Sequence, residues 1–423
     1  MKIAVVGSGI SGIGAAWLLS KQHEVHLFEA ESRLGGHAHT VVVNEAQNSL
    51  PMDTGFLVYN ELTYPHLTQF FKHLNVETME SSMSLSVQVP QKNLEWSGGN
   101  LNTIFGQRRN LFKLSFYKML LEILRFGREA ESNRQAALRH AWTLGDMLQA
   151  RKYSEAFQSD YLLPIGAAIW STPEKKMLEF PASTFLTFFI NHKLLQVNGR
   201  PIWRTVKNGS VEYVKKAAAA IQHIHLSSAV VEVRRAQNKV FLKTSKEAFE
   251  FDAVVLATHA PITAKILKDQ SPEELSVLTA ISYEGNKAFL HNQEQAMPKL
   301  KRCWSAWNVY GEMNADVQAA SHKVSLTYHL NELQKLPTKT NYFLTLNPTK
   351  KINNVQREIE YAHPQFNQTA IRAQRALPSI QGQGGVYFAG AWTRYGFHED
   401  GLLSAVNVAE LLGVKAPWTV NNE

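Results

Sequence analysis

Three glycines near the N terminus, Gly7, Gly9 and Gly12, have the spacing G-x-G-x-x-G. Residues 3–6 before them form an apolar run typical of a buried parallel strand, and a helical pattern follows. A second strand-like run ends at Glu29. Such glycines let a pyrophosphate approach the backbone, and the acid after the second strand accepts hydrogen bonds from ribose hydroxyls. The pattern therefore predicts a bound dinucleotide, and an acid at this position argues against a ribose 2′-phosphate.

The glycine spacing alone does not distinguish NAD from FAD. The sequence Arg33-Leu34-Gly35-Gly36, directly after the second strand, resembles the R-x-G-G element of the flavin amine oxidase and phytoene desaturase superfamily. In that superfamily the element wraps the FAD pyrophosphate, so the resemblance implies FAD as the cofactor. Its members usually continue with a second arginine, where this chain has His37.

Later segments resemble the same superfamily. Residues 52–56 resemble its D-x-G element, residues 251–258 end in Ala-Thr like its second fingerprint, and residues 385–390 contain its Phe-Ala-Gly. In the superfamily, the N terminus of the helix that Gly401 opens faces the flavin ring. The resemblance implies cofactor contacts at Gly7, Gly9, Ile10, Ser11, Gly12, Glu29, Ala30, Arg33, Gly35, Gly36, His37, Thr54, Gly55, Phe56, Val230, Val231, Ala257, Thr258, Gly390, Ala391, Asp400, Gly401 and Leu402.

Residues 396–401, Gly-Phe-His-Glu-Asp-Gly, place three ionisable side chains just before the flavin-facing helix. Acid–base groups must lie within reach of the reacting carbon. We therefore predict catalytic roles for His398, Glu399 and the neighbouring Tyr395, and we expect Asp400 to be the N-cap of the helix. Ala391-Trp392 stands where the superfamily normally has an acid that holds the ribityl chain, and this departure weakens the case for an amine substrate.

Two segments, residues 161–170 and 180–195, are unusually apolar and aromatic. They suit the lining of a long apolar cavity, although an ordinary core is the safer interpretation. The predicted substrate contacts are Trp170 and Phe188 from these segments, and Trp307 and Tyr328 from the aromatic, strand-like segments of residues 263–375.

The sequence looks nearest to the branch of the superfamily related to fatty acid double-bond isomerases. This resemblance implies an FAD-dependent oxidoreductase that transfers a hydride from a substrate C–H to flavin N5, as a desaturase or isomerase of a fatty acyl or lipid substrate. One alternative is an amine or amino acid oxidase that releases peroxide. Another is a non-catalytic, electron-carrying flavoprotein, and the electron acceptor is left open.

At 423 residues the chain is too long for one compact core and suits two intertwined domains. The resemblance implies an α/β fold, in which a Rossmann-like FAD-binding domain with a parallel sheet is interleaved with an α+β substrate domain with a mixed sheet. We predict an FAD-binding domain of residues 1–75, 205–262 and 376–415, a substrate domain of residues 76–204 and 263–375, and a C-terminal tail of residues 416–423.

The net charge of +8 is compatible with nucleic acid, an anionic membrane or an acidic substrate. The sequence has no paired Cys/His zinc spacing and no RNP pattern, so we expect no nucleic-acid partner.

Residues 107–139 carry eight Lys or Arg and three Glu. On a helix, a polar stripe would border a wide apolar face; the stripe comprises Lys118, Glu122, Arg125 and Glu129. Such a helix either contacts an anionic membrane peripherally or is half-buried in the substrate domain with one solvated edge.

The single cysteine, Cys303, excludes an internal disulfide and suits a reducing cytoplasm. We expect no signal peptide and no membrane span, and therefore a cytoplasmic protein, with the inner face of the membrane as a further location.

His37 and His39 lack a third ligand nearby in the sequence, so we predict that they line a cofactor loop and that the chain has no metal site.

Overall fold

The computed structural model describes residues 1–45, 48–196, 199–311 and 325–418. Residues 419–423 of the predicted tail lie outside this part. The strands within it are β1 Lys2–Val6, β2 Glu24–Phe28, β3 Thr40–Glu45, β4 Asn48–Asp53, β5 Tyr59–Asn60, β6 Thr78–Glu80, β7 Leu85–Val89, β8 Leu94–Ser97, β9 Trp203–Val206, β10 His223–His225, β11 Val230–Ala236, β12 Lys239–Thr244, β13 Ala248–Phe251, β14 Ala253–Leu256, β15 Tyr283–His291, β16 Trp307–Tyr310, β17 Ser325–His329, β18 Phe343–Leu346, β19 Arg357–Pro364 and β20 Val386–Phe388.

The α-helices connect and cover these strands. They are α1 Ile10–Leu19, α2 Pro65–His73, α3 Leu101–Ile104, α4 Leu114–His140, α5 Leu144–Ala150, α6 Glu155–Phe157, α7 Leu163–Trp170, α8 Glu174–Leu178, α9 Ala182–Asn191, α10 Val211–Ala218, α11 Ala260–Ile266, α12 Pro272–Thr279, α13 Leu330–Gln334, α14 Gln368–Ile380 and α15 His398–Leu411. No helix in the described ranges has the length and apolar character needed to cross a membrane.

A five-stranded parallel sheet forms one half of the molecule, in the order β10-β2-β1-β14-β20. Its central strand β1 is buried from Ile3 to Val6, because helices and a β-ribbon cover the two faces. Helix α1 packs closely on α15: a Cβ on Gly14 would lie 2.7 Å from Leu402 Cδ1. The predicted α/β fold with a Rossmann-like parallel sheet is confirmed.

A seven-stranded mixed sheet forms the second half, in the order β19-β15-β18-β17-β16-β7-β8. Only the β16–β7 pair of this sheet is parallel. Its strands come from residues 85–97 and 283–364, whereas those of the parallel sheet come from residues 2–28, 223–256 and 386–388. The domain boundaries themselves stay a prediction.

Helices α4 to α9 form a separate aromatic core beside the mixed sheet. Helix α4 differs from the predicted amphipathic helix, because only part of its polar stripe faces solvent: Lys118 is exposed, whereas the rest is buried or partly buried. Glu122 is buried, where it accepts a hydrogen bond from the Ser154 backbone amide at 3.2 Å. Arg125 is half-buried and donates to the carbonyl of Arg151. The side of α4 that faces solvent instead carries Leu114 and Leu121.

Candidate active site

The glycine turn after β1 is shaped by close contacts between backbone atoms. Gly7 has φ +96°, and a Cβ there would lie 2.9 Å from the Ala257 carbonyl oxygen. A Cβ on Gly12 would lie 1.8 Å from the Gly7 carbonyl oxygen. A Cβ on Gly9, by contrast, would have no protein atom within 4 Å. The turn therefore requires glycine at positions 7 and 12 for packing, and at position 9 it leaves room for a ligand to approach the backbone.

The N terminus of α1 is available to an anion. Gly9 is its N-cap, without a side-chain capping bond, and no acid stands in the first turn. The amides of the first helical turn and the positive end of the helix dipole therefore form a place that suits an anion such as a phosphate group. This is the arrangement that a dinucleotide pyrophosphate needs.

The carboxylate of Glu29 is held at the end of β2 by three donors. It accepts from the Ser8 amide and hydroxyl and from the Glu31 amide, the two amides at 2.9 Å. The Ser228 amide donates to the Glu29 carbonyl at 2.8 Å, which brings the start of β11 to the same edge. Here Val230 is partly buried and Val231 lies exposed at an irregularity of the β11–β12 ladder.

The loop of residues 30–36 folds back over the glycine turn. The Gly35 amide donates to the Ser8 carbonyl at 3.2 Å, and a Cβ on Gly36 would lie 3.0 Å from Gly9 Cα. Arg33 donates to the Gly36 carbonyl at 2.9 Å, while Ala30 is exposed. Both glycines have positive φ, so the loop can take this path only with glycine there.

The start of α15 converges on the start of α1. A Cβ on Gly401 would lie 2.7 Å from Ile10 Cγ2 and 2.8 Å from Ser11 Oγ. The Ala391 Cβ lies 3.7 Å from the same point, and the Gly390 amide donates to Ser404 Oγ at 2.9 Å. Two segments almost 400 residues apart in sequence thus meet at one place, and the convergence requires glycine at position 401.

A third segment, residues 54–56, joins this place through His37. The Phe56 amide donates to the His37 carbonyl at 2.8 Å, and a Cβ on Gly55 would lie 2.2 Å from that oxygen. Thr54 Oγ1 lies 2.8 Å from the hydroxyl of Tyr361. Ala257 and Thr258 complete the surroundings, since a Cβ on Gly7 would contact both.

The His37 ring is partly buried and stacked on Tyr361, with ring centroids 4.8 Å apart. Burial lowers the pKa of His37 well below its usual value, and the neighbouring His363 and His259 lower it further. Its Nε2 is buried without a hydrogen-bond partner among the described residues. Such an atom is costly unless it is satisfied by a ligand or water, so it fits a polar group of a bound cofactor.

His398 is the first residue of α15. Its ring stacks on Phe56 with centroids 3.8 Å apart and an interplanar angle of 18°. Its Nε2 lies 3.3 Å from the hydroxyl of Tyr213. Desolvation lowers the pKa of His398 to about 3, so the imidazole is neutral at ordinary pH.

Glu399 stabilises another helix. Its two carboxylate oxygens accept hydrogen bonds from the backbone amides of His66 and Leu67, each at 2.9 Å. These amides belong to the first turn of α2, which has no side-chain cap of its own. Burial raises the pKa of Glu399 to about 7.

Asp400 is not the N-cap that the sequence predicted. It is the third residue of α15, whose N-cap is Phe397, and its carboxylate accepts from the Phe397 amide at 2.9 Å. The helix begins earlier than expected because this bond satisfies an amide at its N terminus. Burial raises the pKa of Asp400 to about 6.

The predicted substrate residues fall into two groups. Trp170 and Phe188 lie together, with ring centroids 4.8 Å apart, and Trp170 Nε1 donates to the Tyr395 carbonyl at 3.3 Å. Trp307 and Tyr328 form an edge-to-face pair on neighbouring strands of the mixed sheet, 4.8 Å apart. The first group contacts the segment that carries His398, because Phe188 stacks on Phe397 at 4.7 Å.

Sequence reasoning missed the polar side chains that the mixed sheet contributes. Tyr361 and His363, two residues apart on β19, both approach His37, with ring centroids 4.8 and 5.3 Å away. Asn286 Nδ2 lies 2.9 Å from His363 Nδ1. Alternation along a strand could have put residues 361 and 363 on one face, but nothing in the sequence indicates which loop that face meets.

These observations fit FAD. The uncapped N terminus of α1, the open position at Gly9 and the orphaned Nε2 of His37 provide donors and space for its phosphates and polar groups. The Glu29 carboxylate lies where the fingerprint puts the ribose. The N-terminal turn of α15 supplies a positive helix end.

Comparisons with known proteins agree with this interpretation. The profile of the family described as flavin containing amine oxidoreductase matches residues 10–314, more than half of the chain. No curated protein sequence matches the chain.

Several solved structures have the same fold. Cyclohexylamine oxidase from Brevibacterium oxydans IH-35A is 15% identical, with 97% of this chain and 99% of that chain covered and a TM-score of 0.68. A CLA-producing fatty acid isomerase from P. acnes is 11% identical, with 97% of each chain covered and a TM-score of 0.68. Putrescine oxidase bound to putrescine is 12% identical, with 98% and 100% covered and a TM-score of 0.69.

The match over residues 10–314 confirms the superfamily, the FAD cofactor and the oxidoreductase class that the sequence motifs predicted. The chain belongs to the flavin-containing amine oxidoreductase family and is an FAD-dependent oxidoreductase.

Proposed function

We propose that the protein oxidises or isomerises a fatty acyl or lipid substrate, as a desaturase or a double-bond isomerase. The observation that carries this proposal is the state of the two carboxylates nearest the start of α15. Both Glu399 oxygens accept from backbone amides, and Asp400 accepts from another. Both carboxylates are thus already used by the backbone and poorly suited as the counter-ion of a substrate ammonium, which an acyl chain does not need.

The aromatic residues beside this segment support the same substrate class. Trp170 and Phe188 are buried and pack against the partly buried Phe397, and we propose that they contact the acyl chain. Trp307 and Tyr328 would contact it from the mixed sheet, whose core also includes Ala168 of α7. Apolar walls with few polar groups are typical of sites for apolar ligands.

Bound FAD supplies the family's chemistry, the acceptance of a hydride from a substrate C–H. The residues that would hold it are those of the glycine turn, Glu29, the loop of residues 33–37, residues 54–56, Val230 and Val231, Ala257 and Thr258, and the start of α15. This assignment follows the contacts described above. His37, in place of the family's arginine, would offer its unpartnered Nε2 rather than a positive charge.

Desaturation also removes a second hydrogen as a proton, and this step requires a base. We propose His398 for this role, because among the described residues its Nε2 has only one long contact, 3.3 Å to the Tyr213 hydroxyl. Glu399 is the second candidate, but its carboxylate also holds α2 in place. Tyr395 would bound the site through its ring, which lies 6.0 Å from that of Phe188.

Anaerobic mixing with a panel of fatty acids and phospholipids tests the proposal. A desaturase bleaches the flavin absorbance, and an isomerase leaves it unchanged but alters the acyl chain, so product analysis accompanies the absorbance measurement. A panel of amines, tested in the same way, serves as the comparison. Peroxide release with an amine, together with unaltered acyl chains, would replace this proposal by an amine or amino acid oxidase, the reaction class of two solved structures with this fold. No reduction with any substrate, together with unaltered acyl chains, would favour an electron-carrying flavoprotein.

We also propose that helix α4 and the turn before it contact an anionic membrane. Exposed side chains are large and apolar here: Phe112 is 88% exposed, Leu114 87% and Leu121 67%. Tyr117 and Leu124 extend the same helical face. Exposed basic side chains border it, and they are Arg108, Arg109, Lys118 and Arg128.

Apolar side chains insert into the lipid interface while basic ones attract its anionic headgroups. A lipid substrate would be drawn from such a surface. We propose a location in the cytoplasm, at the inner face of the membrane, where a chain with a single cysteine needs no disulfide.

A further inference from the structure

Four ionisable side chains lie together at the edge of the parallel sheet, away from the proposed active site. Glu24 and His26 are on β2, and His223 and His225 are on the neighbouring edge strand β10. The two strands are parallel, with His223 opposite His26. Because side chains alternate along a strand, all four project from the same face of the sheet.

The possible ligand atoms converge on the Glu24 carboxylate. Its Oε1 lies 3.0 Å from His26 Nε2 and 3.7 Å from His223 Nε2. The three ligand atoms all lie within 4.8 Å of one another. Two ligands bound to one zinc ion at about 2.0–2.1 Å stand roughly 3.4 Å apart in a tetrahedral site. The His26 and His223 rings stack with centroids 4.1 Å apart, so the exposed His223 side chain must rotate to direct its Nε2 at an ion shared with His26.

The buried member of the group is already oriented for such a role. His26 Nδ1 lies 3.1 Å from His225 Nε2, which leaves Nε2 of His26 directed at Glu24. A histidine ligand typically uses its second ring nitrogen in this way, because that bond determines the tautomer and holds the ring. Phe251 packs edge-on against the His26 ring at 5.3 Å and restricts it further.

The outer members give an ion access from solvent. The side chains of Glu24 and His223 are 52% and 47% exposed. Both can rotate to complete the geometry, and the remaining coordination positions are open to water. Lys2 is the basic side chain facing the group, and its charge opposes a cation there.

We infer that Glu24, His26 and His223 bind one divalent transition-metal ion, with His225 orienting His26. Two imidazoles and one carboxylate suit borderline ions such as Zn²⁺, Co²⁺ or Ni²⁺ rather than Mg²⁺ or Ca²⁺, which prefer all-oxygen sites. The ion would join β2 to β10. The amide of Glu29, the predicted ribose ligand, donates to the His225 carbonyl at 2.9 Å, so the ion would also stiffen that end of the cofactor site.

Zn²⁺ titration of the FAD-loaded protein by calorimetry tests this inference, with Co²⁺ absorbance as a report on imidazole coordination. We expect one ion per chain, a rise in Tm with Zn²⁺, and no comparable response to Mg²⁺. The variant His223→Ala should weaken Zn²⁺ binding at least about tenfold. His140→Ala, at an exposed histidine on α4, is the matched control and should bind like the parent.

Since His223 is half-exposed on an edge strand, its removal should leave the fold and the FAD content unchanged. Equal Zn²⁺ binding by His223→Ala and the parent would place the ion elsewhere and overturn the inference. So would an absence of binding by the parent at millimolar Zn²⁺. FAD retention and substrate turnover are separate readouts, so failure here does not bear on the proposed reaction.

Discussion

A Cβ added to Gly12 would lie 1.8 Å from the carbonyl oxygen of Gly7, whereas one added to Gly9 would meet no protein atom within 4 Å. Gly9 and Gly12, two of the three glycines of the fingerprint, therefore serve different purposes. Gly12 lets the first turn of α1 pack against the turn that precedes it. Gly9 keeps a space at the helix N terminus that the protein itself does not fill.

The first prediction separates these purposes. Gly9→Ala should fold with a Tm close to that of the apo parent, because φ −60° at this position suits alanine and no contact is lost. Its FAD affinity should fall by at least about tenfold, since the methyl group occupies the approach to the helix amides. Flavin fluorescence during reconstitution of the apoprotein measures this affinity.

Gly12→Ala is the companion variant. Its methyl group would overlap the Gly7 carbonyl, so we expect poor folding with or without FAD. Gly285→Ala, where a Cβ would have no atom within 4 Å, is the control. A Gly9→Ala protein that binds FAD like the parent would contradict the assignment of the pyrophosphate to this turn.

The second prediction concerns Glu399 and pH. Burial raises its pKa to about 7, above the ordinary value near 4.5. Between these pH values the folded protein holds a proton that the unfolded chain has released, so this group's contribution to the free energy of unfolding falls as the pH rises through the window. The Tm difference between the parent and Glu399→Gln should therefore be more favourable to the parent at pH 5 than at pH 8.

Thermal unfolding at the two pH values measures this difference, and other titrating groups largely cancel because both proteins contain them. Glu410→Gln, at an exposed position on the same helix, should show no such change. Glu399→Ala should lower stability at both pH values by roughly 1–3 kcal/mol, because two buried amides of α2 lose their acceptor. A Tm difference that does not vary with pH would show that Glu399 does not titrate between pH 5 and 8.

The sequence was sufficient to predict the parallel sheet and the cofactor, because both depend on local patterns with a fixed physical meaning. The residues between Gly7 and Glu29 are enough to specify strand, turn, helix and strand. The start of α15 was harder: Gly401 seemed to begin the helix, yet the bond from the Phe397 amide to Asp400 extends it back to His398. The role of Glu399 was not predictable, since its partners lie more than 300 residues away.

Which side of α4 is buried was also not predictable from the sequence. A helix with apolar residues on more than half of its surface can bury either side. In the structure Phe116, Met119 and Phe126 are buried, and hydrogen bonds from Ser154 to Glu122 satisfy the one edge of the polar stripe that is buried with them. The same limit applies to Tyr361 and His363, which reach His37 only because the mixed sheet lies against the cofactor loop.

The third prediction tests His398 as the proton acceptor. His398→Gln should retain FAD and the fold, because an amide can still bond to the Tyr213 hydroxyl. The rate of substrate desaturation should fall by about 10²–10⁴-fold, the usual contribution of a general base. Since the pKa of His398 is about 3, the parent should show no loss of rate from its protonation between pH 5 and 8.

Tyr213→Phe is the matched variant for this prediction. It removes the hydroxyl near His398 but keeps the ring, so a moderate loss of rate with unchanged FAD content is expected. If His398→Gln turns over substrate at the parental rate, the base is another group, and Glu399 becomes the candidate. Rapid-mixing absorbance at several pH values separates these outcomes.

The fourth prediction concerns the exposed face of α4. The double variant Leu114→Glu/Leu121→Glu should lose flotation on vesicles that contain anionic phospholipid, whereas the parent should float at low salt and less at high salt. The change replaces side chains that would enter the interface by charges that the headgroups repel. Both side chains are more than 60% exposed, so the fold and the FAD content should not change.

Leu411→Glu, at an exposed leucine on α15, supplies the control for added charge away from α4. It should float like the parent. The electrostatic contribution to membrane binding has a separate test. The double variant Lys118→Glu/Arg128→Glu keeps the leucines and should lose the preference for anionic over neutral vesicles. If the parent does not float on anionic vesicles at low salt, the proposed membrane contact of α4 is wrong, and the proposed acyl substrate would have to reach Trp170 and Phe188 from solution.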